Sequence, residues 1–214
     1  MEQDEGELKR KLVDQYSNFT QRDKAVRLTN GHSHDADGET IVLTGATGAL
    51  GAHILDQYRS KAGVRKIYCL VRGVDERAAF ERLNKALVQR KLRSLHSSDA
   101  NDEKVVVLQA ALGDSRLGLS DDMYERIASE ATIIMHVAWS VNFRMKLRSF
   151  VKDNIAGVTH LINLALASPR AEPPRFAFCS SVASAMAYHG ADSLVPERVI
   201  DDTSAATALG YSQS

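Results

Sequence analysis

No apolar run in these 214 residues approaches the roughly 20 needed to cross a bilayer as a helix. The amino terminus, Met1-Glu2-Gln3-Asp4-Glu5, is acidic and lacks the apolar stretch of a secretion signal. Charge of one sign is not in excess either. The chain has 27 basic and 27 acidic residues, which removes the electrostatic ground for a nucleic-acid or anionic-membrane partner. There is no internal repeat, no Gly-x-Ser-x-Gly elbow of a serine hydrolase and no Gly-Lys-Ser/Thr of a P-loop. Cysteine occurs only twice, at Cys69 and Cys179, each inside an apolar, strand-like run. Both are expected as buried free thiols, which suits a reducing cytoplasm. Packing, rather than nucleophilic chemistry, is the role a small buried thiol ordinarily fills.

What is present is the composition of a globular protein, 44% hydrophobic and 25% charged, long enough for one sizeable core and an N-terminal appendage. Residues 5–18 predict a helix with Leu8, Leu12, Val13 and Tyr16 on one stripe. Residues 29–38 are small and polar and predict a linker. His32, His34, Asp35 and Asp37 within it have metal-ligand chemistry but no rigid surroundings, so no metal is expected. The division expected is an N-terminal helix and linker over 1–38, followed by one domain over 39–214.

From residue 40 the pattern alternates. Strands are predicted at 40–44, 66–71, 104–109, 132–137 and 176–179. Helices are predicted at 49–61, 75–92 (with Ala79, Phe80, Leu83, Leu87 and Val88 apolar), 120–130 and 146–168. Strands apolar on both faces, separated by helices, predict an α/β fold with a doubly wound parallel sheet. Right-handed crossovers give the Rossmann order 3-2-1-4-5. In that order two strands separate Cys69 from Cys179 and exclude a disulfide.

The loop Thr44-Gly45-Ala46-Thr47-Gly48-Ala49-Leu50-Gly51 leaves the first strand and opens the first crossover helix. Gly45 permits the tight turn, Gly48 lets a pyrophosphate approach the backbone, and Gly51 lets the helix pack closely. The helix N-terminus then faces the phosphates. This is a dinucleotide-binding unit. At the end of the second strand, where an acidic residue would hold the ribose 2′-hydroxyl of NAD, the sequence reads Val71-Arg72-Gly73. A guanidinium suits a 2′-phosphate and predicts NADP(H). The alternative is a solvated Arg72, with Asp75 or Glu76 serving NAD. Asp114, after the third strand, either meets an adenine edge or is a turn residue.

With these residues in place, the sequence resembles the extended branch of the short-chain dehydrogenase/reductases. Thr-Gly-x-x-Gly-x-x-Gly is that superfamily's form of the loop. Leu70-Val71-Arg72 and Glu81-Arg82-Leu83 resemble the thioester reductase domains that end fungal nonribosomal-peptide-synthetase-like enzymes, aminoadipate reductases and carboxylic acid reductases. His136-Val137-Ala138-Trp139, Asn154-Ile155-Ala156-Gly157-Val158, Ser180-Ser181-Val182 and Gly210-Tyr211-Ser212-Gln213-Ser214 resemble later segments of the same family, in order. The resemblance implies hydride transfer from NADPH to an acyl thioester held on a phosphopantetheinyl carrier domain, giving an aldehyde. It implies that Arg72 and Arg82 grip the 2′-phosphate and that Val137 and Ala138 border the cofactor. It also implies that Tyr211 donates a proton to the substrate carbonyl oxygen while Ser181 hydrogen-bonds it. The family's motif continues to a lysine four residues after the tyrosine. The sequence ends three residues after Tyr211, so a cofactor-binding half with impaired catalysis is expected. Two further readings stay open: an extended dehydrogenase or epimerase acting on a free small molecule, and a non-catalytic NADP(H)-binding module.

Overall fold

The structure, a computed structural model, describes residues 2–20, 38–96, 99–142, 144–181, 195 and 197. The predicted linker (apart from Gly38), with its His and Asp residues, and Tyr211 lie outside that set. Among the described residues no group of His, Cys, Asp and Glu could hold a metal ion, and no helix is long and apolar enough to cross a membrane.

Five parallel strands form one sheet: β1 (Glu39–Thr44), β2 (Val64–Val71), β3 (Val105–Gln109), β4 (Ile133–His136) and β5 (Arg175–Phe178). Their order is β3-β2-β1-β4-β5, as the alternation predicts. The helices are α1 (Glu2–Tyr16), α2 (Ala49–Arg59), α3 (Glu76–Gln89), α4 (Asp121–Glu130) and α5 (Gly157–Leu166). Successive strand residues point to opposite faces and so feed two separate cores. Ile41, Leu43, Ile67, Cys69 and Val71 pack with Leu55 of α2 and with Leu83 and Leu87 of α3. Val42, Tyr68, Leu70 and Ile134 pack with Ile127 of α4 and with Leu161 and Leu164 of α5. The result is a Rossmann-like α/β fold with helices on both faces.

Several elements differ from expectation for identifiable reasons. The helix expected over 146–168 is broken into a 3₁₀ turn (Leu147–Ser149), a π turn (Val151–Ala156) and α5. The Phe150 carbonyl accepts from both Asn154 N and Ile155 N, at 3.0 Å each, so one extra residue enters the turn there. Phe80 and Val88 of α3 are exposed rather than in the core, because α3 buries the face carrying Ala79, Leu83, Ala86 and Leu87. Val13 is likewise exposed, since α1 rests on the sheet-bound helices through Leu12. Cys179 is exposed, one residue beyond β5, because β5 is the edge strand of the sheet. Cys69 is buried, and loss of water pushes its thiol up to about 12, which makes it an inert packing residue.

Two hydrogen bonds pin the end of α1 to α5: Thr159 Oγ1 donates to the Tyr16 carbonyl (2.9 Å) and Thr20 N donates to Asn163 Oδ1 (2.9 Å). Arg59 at the end of α2 is about 1% exposed. It donates to Asp102 (2.9 Å), Asp56 (2.5 Å) and the Arg93 carbonyl (2.8 Å), tying the segment after α3 to α2.

Candidate functional site

The carboxyl ends of β1, β2, β3 and β4 open on a crevice of about 590 Å³, at the point where the sheet order reverses. Its lining includes Gly45, Thr47 and Gly48 from the loop after β1, Arg72 and Gly73 after β2, Gln109 and Leu112 around the end of β3, and Val137 to Val141 after β4.

The glycine loop has the geometry its sequence predicts. Gly45 takes φ +75°, and a Cβ there would stand 2.6 Å from Ala138 N and 2.7 Å from the Val137 carbonyl carbon. A side chain at this position is excluded both by backbone conformation and by the neighbouring β4 loop. A Cβ on Gly51 would fall 2.2 Å from the Gly45 carbonyl oxygen. Gly48 opens α2 with no side-chain cap, whereas Asp75 caps α3 (Ala78 N, 2.7 Å) and Ser120 caps α4 (Met123 N, 3.3 Å). The first N–H groups of α2 therefore start at the crevice without a side-chain acceptor, the arrangement that receives phosphate oxygens elsewhere.

Arg72 and Arg82 both line the crevice and are solvent-facing, with Arg82 Nη1 donating to the Arg72 carbonyl (3.3 Å). Asp75 does not line it: its carboxylate is engaged as the α3 cap. Gly73 is held against α3, where a Cβ would stand 2.8 Å from Ala79 N.

Thr44 is fully buried beneath the loop rather than in the lining, and its hydroxyl meets three groups. It accepts from Val137 N and Ala138 N (3.2 Å each) and lies 2.7 Å from His136 Nδ1. Ala49 and Leu50 are exposed on the first turn of α2 and are not in the crevice lining. Val137 and Ala138 are in the lining. Asp114 is not. It lies outside the crevice lining and pairs with Lys152 (2.9 Å). Ser181 is half-buried just beyond β5.

Residues without a sequence motif complete the site. The π turn brings Asp153 and Asn154 into the lining. Asn154 is buried; its Oδ1 accepts from Ser140 N (3.0 Å) and its Nδ2 donates to Ser140 Oγ (3.4 Å), which fixes the loop after β4. Trp139 stacks on Phe150 and meets Phe178 edge-on, with centroids 6.1 and 5.9 Å apart. It also borders a second, largely apolar recess of about 310 Å³ between α1 and α5.

Residues 43–213 match the family described as "Male sterility protein". The chain is 31% identical over 197 residues to the adenylate-forming reductase Nps9 of Serpula lacrymans, covering 89% of this chain and 18% of that protein. It is 30% identical over 203 residues to a carboxylic acid reductase of Neurospora crassa, covering 95% of this chain and 18% of that one. The chain thus spans less than a fifth of these relatives. Its fold matches the terminal R domain of the myxalamid PKS-NRPS biosynthetic pathway (TM-score 0.72, 24% identity, 96% of this chain and 49% of that one). It also matches an R domain of a nonribosomal peptide synthetase from Mycobacterium tuberculosis (TM-score 0.57, 23% identity, 84% and 39%).

Proposed function

The chain belongs to the Male sterility protein family, and on that premise we propose that it is the cofactor-binding part of an NADPH-dependent reductase acting on a carrier-bound acyl thioester. The observation that carries the cofactor assignment is the pair Arg72 and Arg82 at the crevice end of β2, with the nearest acidic candidate, Asp75, engaged as a helix cap. A 2′-phosphate has two guanidinium partners there, and a 2′-hydroxyl has no carboxylate. Support for the thioester substrate comes from the relatives: an adenylate-forming reductase and a carboxylic acid reductase by sequence, and a terminal R domain by fold. We read residues 39–214 as the cofactor domain, with α1 an appendage. Free thiols fit a cytoplasmic location.

The residues fit the cofactor. The Gly45–Gly51 turn leaves backbone room that a Cβ would fill, and Thr47, Gly48 and the start of α2 face the crevice where the pyrophosphate belongs. Bound there, NADPH would supply the hydride that reduces a thioester carbonyl carbon. Ser181 holds the carbonyl oxygen and Tyr211 donates a proton to it. A free Tyr has a pKa of about 10, so this step near neutral pH needs a nearby cation, the role of the family's lysine. Collapse of the adduct breaks the C–S bond and releases aldehyde and thiol. Asn154, by holding Ser140, keeps the crevice-lining loop after β4 in place.

The test is aldehyde formation, with matching thiol release and NADPH consumption, from an acyl thioester. It is run with this chain and with a polypeptide continuing beyond Ser214. Aldehyde from neither, with NADPH binding intact, rules out the thioester substrate; no binding of NADPH rules out the cofactor.

A further inference from the structure

His136, the last residue of β4, sits between the ends of β1 and β5. Through Nδ1 it reaches Thr44 at the end of β1 (2.7 Å), and its ring stacks on Phe178 at the end of β5 (centroids 5.5 Å apart, planes at 24°). Its own carbonyl accepts from Cys179 N (3.0 Å), the residue that leads into Ser180 and Ser181. It is about 1% exposed and does not line the crevice.

The hydrogen bonding at Thr44 fixes the state of this ring. A threonine hydroxyl has two acceptor lone pairs and one proton. Both lone pairs are used by Val137 N and Ala138 N. The proton is left for His136 Nδ1, which accepts it, while Nε2 is buried with no hydrogen-bond partner among the described residues. Burial agrees: it lowers the ring to about 4, which keeps it neutral at ordinary pH. The consequence falls on the crevice. Val137 and Ala138 line it, and their backbone packs directly against Gly45. The Thr44 hydroxyl sets the position of that backbone, and the His136 acceptor sets which way the hydroxyl points.

We propose that His136 is a positioning residue for the dinucleotide crevice: by accepting from Thr44 it holds the Val137–Ala138 backbone against Gly45, and by stacking on Phe178 it sets the Ser181 segment in register with that floor. This rests on the nicotinamide reading above. It assigns a role to a side chain that touches neither cofactor nor substrate.

The two contacts separate by substitution. His136→Phe keeps a ring for Phe178 but has no acceptor for Thr44. His136→Asn keeps an acceptor near the Nδ1 position but loses the ring. NADPH dissociation constants are read from quenching of the single Trp139, with thermal unfolding followed in parallel. His136→Phe should weaken NADPH about tenfold, the effect of one lost buried hydrogen bond. His136→Asn should hold the affinity within about threefold, a smaller fraction of the same bond energy. A purely structural role would lower the unfolding temperature of both and separate neither from wild type in affinity. Thr44→Val removes the hydroxyl itself, and adding His136→Phe to it should cost no further affinity. Affinity unchanged in His136→Phe, or losses that multiply in the double variant, overturns the proposal. Wild-type chain that binds no NADPH overturns the cofactor reading and this inference with it, which distinguishes the two failures.

Discussion

Gly51 lies so close under Gly45 that a side chain on it would have no room: its Cβ would stand 2.2 Å from the Gly45 carbonyl oxygen and 2.6 Å from the carbonyl carbon. The first turn of α2 therefore rests directly on the turn leaving β1. The contact is backbone on backbone, so no rotamer change can relieve it. Gly51→Ala should destabilise the fold by about 1–3 kcal/mol, the usual range for overpacking, and weaken NADPH with it. Gly63→Ala is the control, because nothing lies within 4 Å of a Cβ there. Urea unfolding and NADPH titration of both variants check this; equal effects would remove the packing argument.

Arg72 and Arg82 predict a cofactor preference. Arg72→Glu should raise the NADPH dissociation constant about 10- to 100-fold, the range for loss of a charge-assisted hydrogen bond, and leave NADH unaffected or improved. Arg82→Ala should weaken NADPH as well, because Arg82 lines the crevice and donates to the Arg72 carbonyl. The measurement is Trp139 quenching by each dinucleotide. Full NADPH response in Arg72→Glu would remove the 2′-phosphate assignment.

The sheet and its glycine loop were legible in the sequence because their causes are local. β1 and β2 are apolar on both faces, and Gly45, Gly48 and Gly51 sit at fixed spacing between strand and helix. The break before α5 was not legible. The run around 150–166 keeps a helical pattern, and what diverts it is Asn154 reaching Ser140, fourteen positions away. The same holds for Asp114, whose partner Lys152 is brought near only by that π turn. Gln109, Leu112, Ser140 and Asp153 line the crevice because strand ends and the π turn put them there, and no spacing announces them. Cys179 reads as buried by its neighbours and is exposed by its place beside an edge strand.

Arg59 and Asp102 make a buried pair, with side chains 1% and 2% exposed. Asp102 Oδ2 also accepts from His96 N (2.9 Å), so the pair holds the segment after α3 as well as α2. Asp102→Ala would take one of two carboxylates from a buried guanidinium that Asp56 still pairs, at a cost of about 3 kcal/mol, the lower end of the range for breaking a buried pair. Replacing both residues by apolar ones of similar size should cost less than this single change. The pair lies outside the crevice, so the folded fraction of either variant should keep wild-type NADPH affinity. Chemical denaturation read beside cofactor titration tests both halves of the statement.

His136 also predicts how stability depends on pH. Burial lowers the ring from its ordinary 6.5 to about 4, so between these values the unfolded chain binds a proton that the folded chain does not. Stability is complete above about pH 6.5 and falls as the pH drops through this window, by roughly 3 kcal/mol once both states are protonated. Glu130 acts in a separate, more acidic window. Burial works against its charge, but hydrogen bonds from Lys66, Tyr68 and Arg126 hold the carboxyl down to about 2, so its contribution fades only below the ordinary carboxylate range. The two are distinguishable by substitution. His136→Asn should flatten the stability curve between pH 6.5 and 4 and leave the decline below pH 4 in place. Glu130→Gln should do the reverse. Urea midpoints measured across pH 3 to 8 give the slopes directly. A His136→Asn protein with the wild-type slope between pH 6.5 and 4 would mean that the ring titrates normally. It would then be no buried acceptor for Thr44.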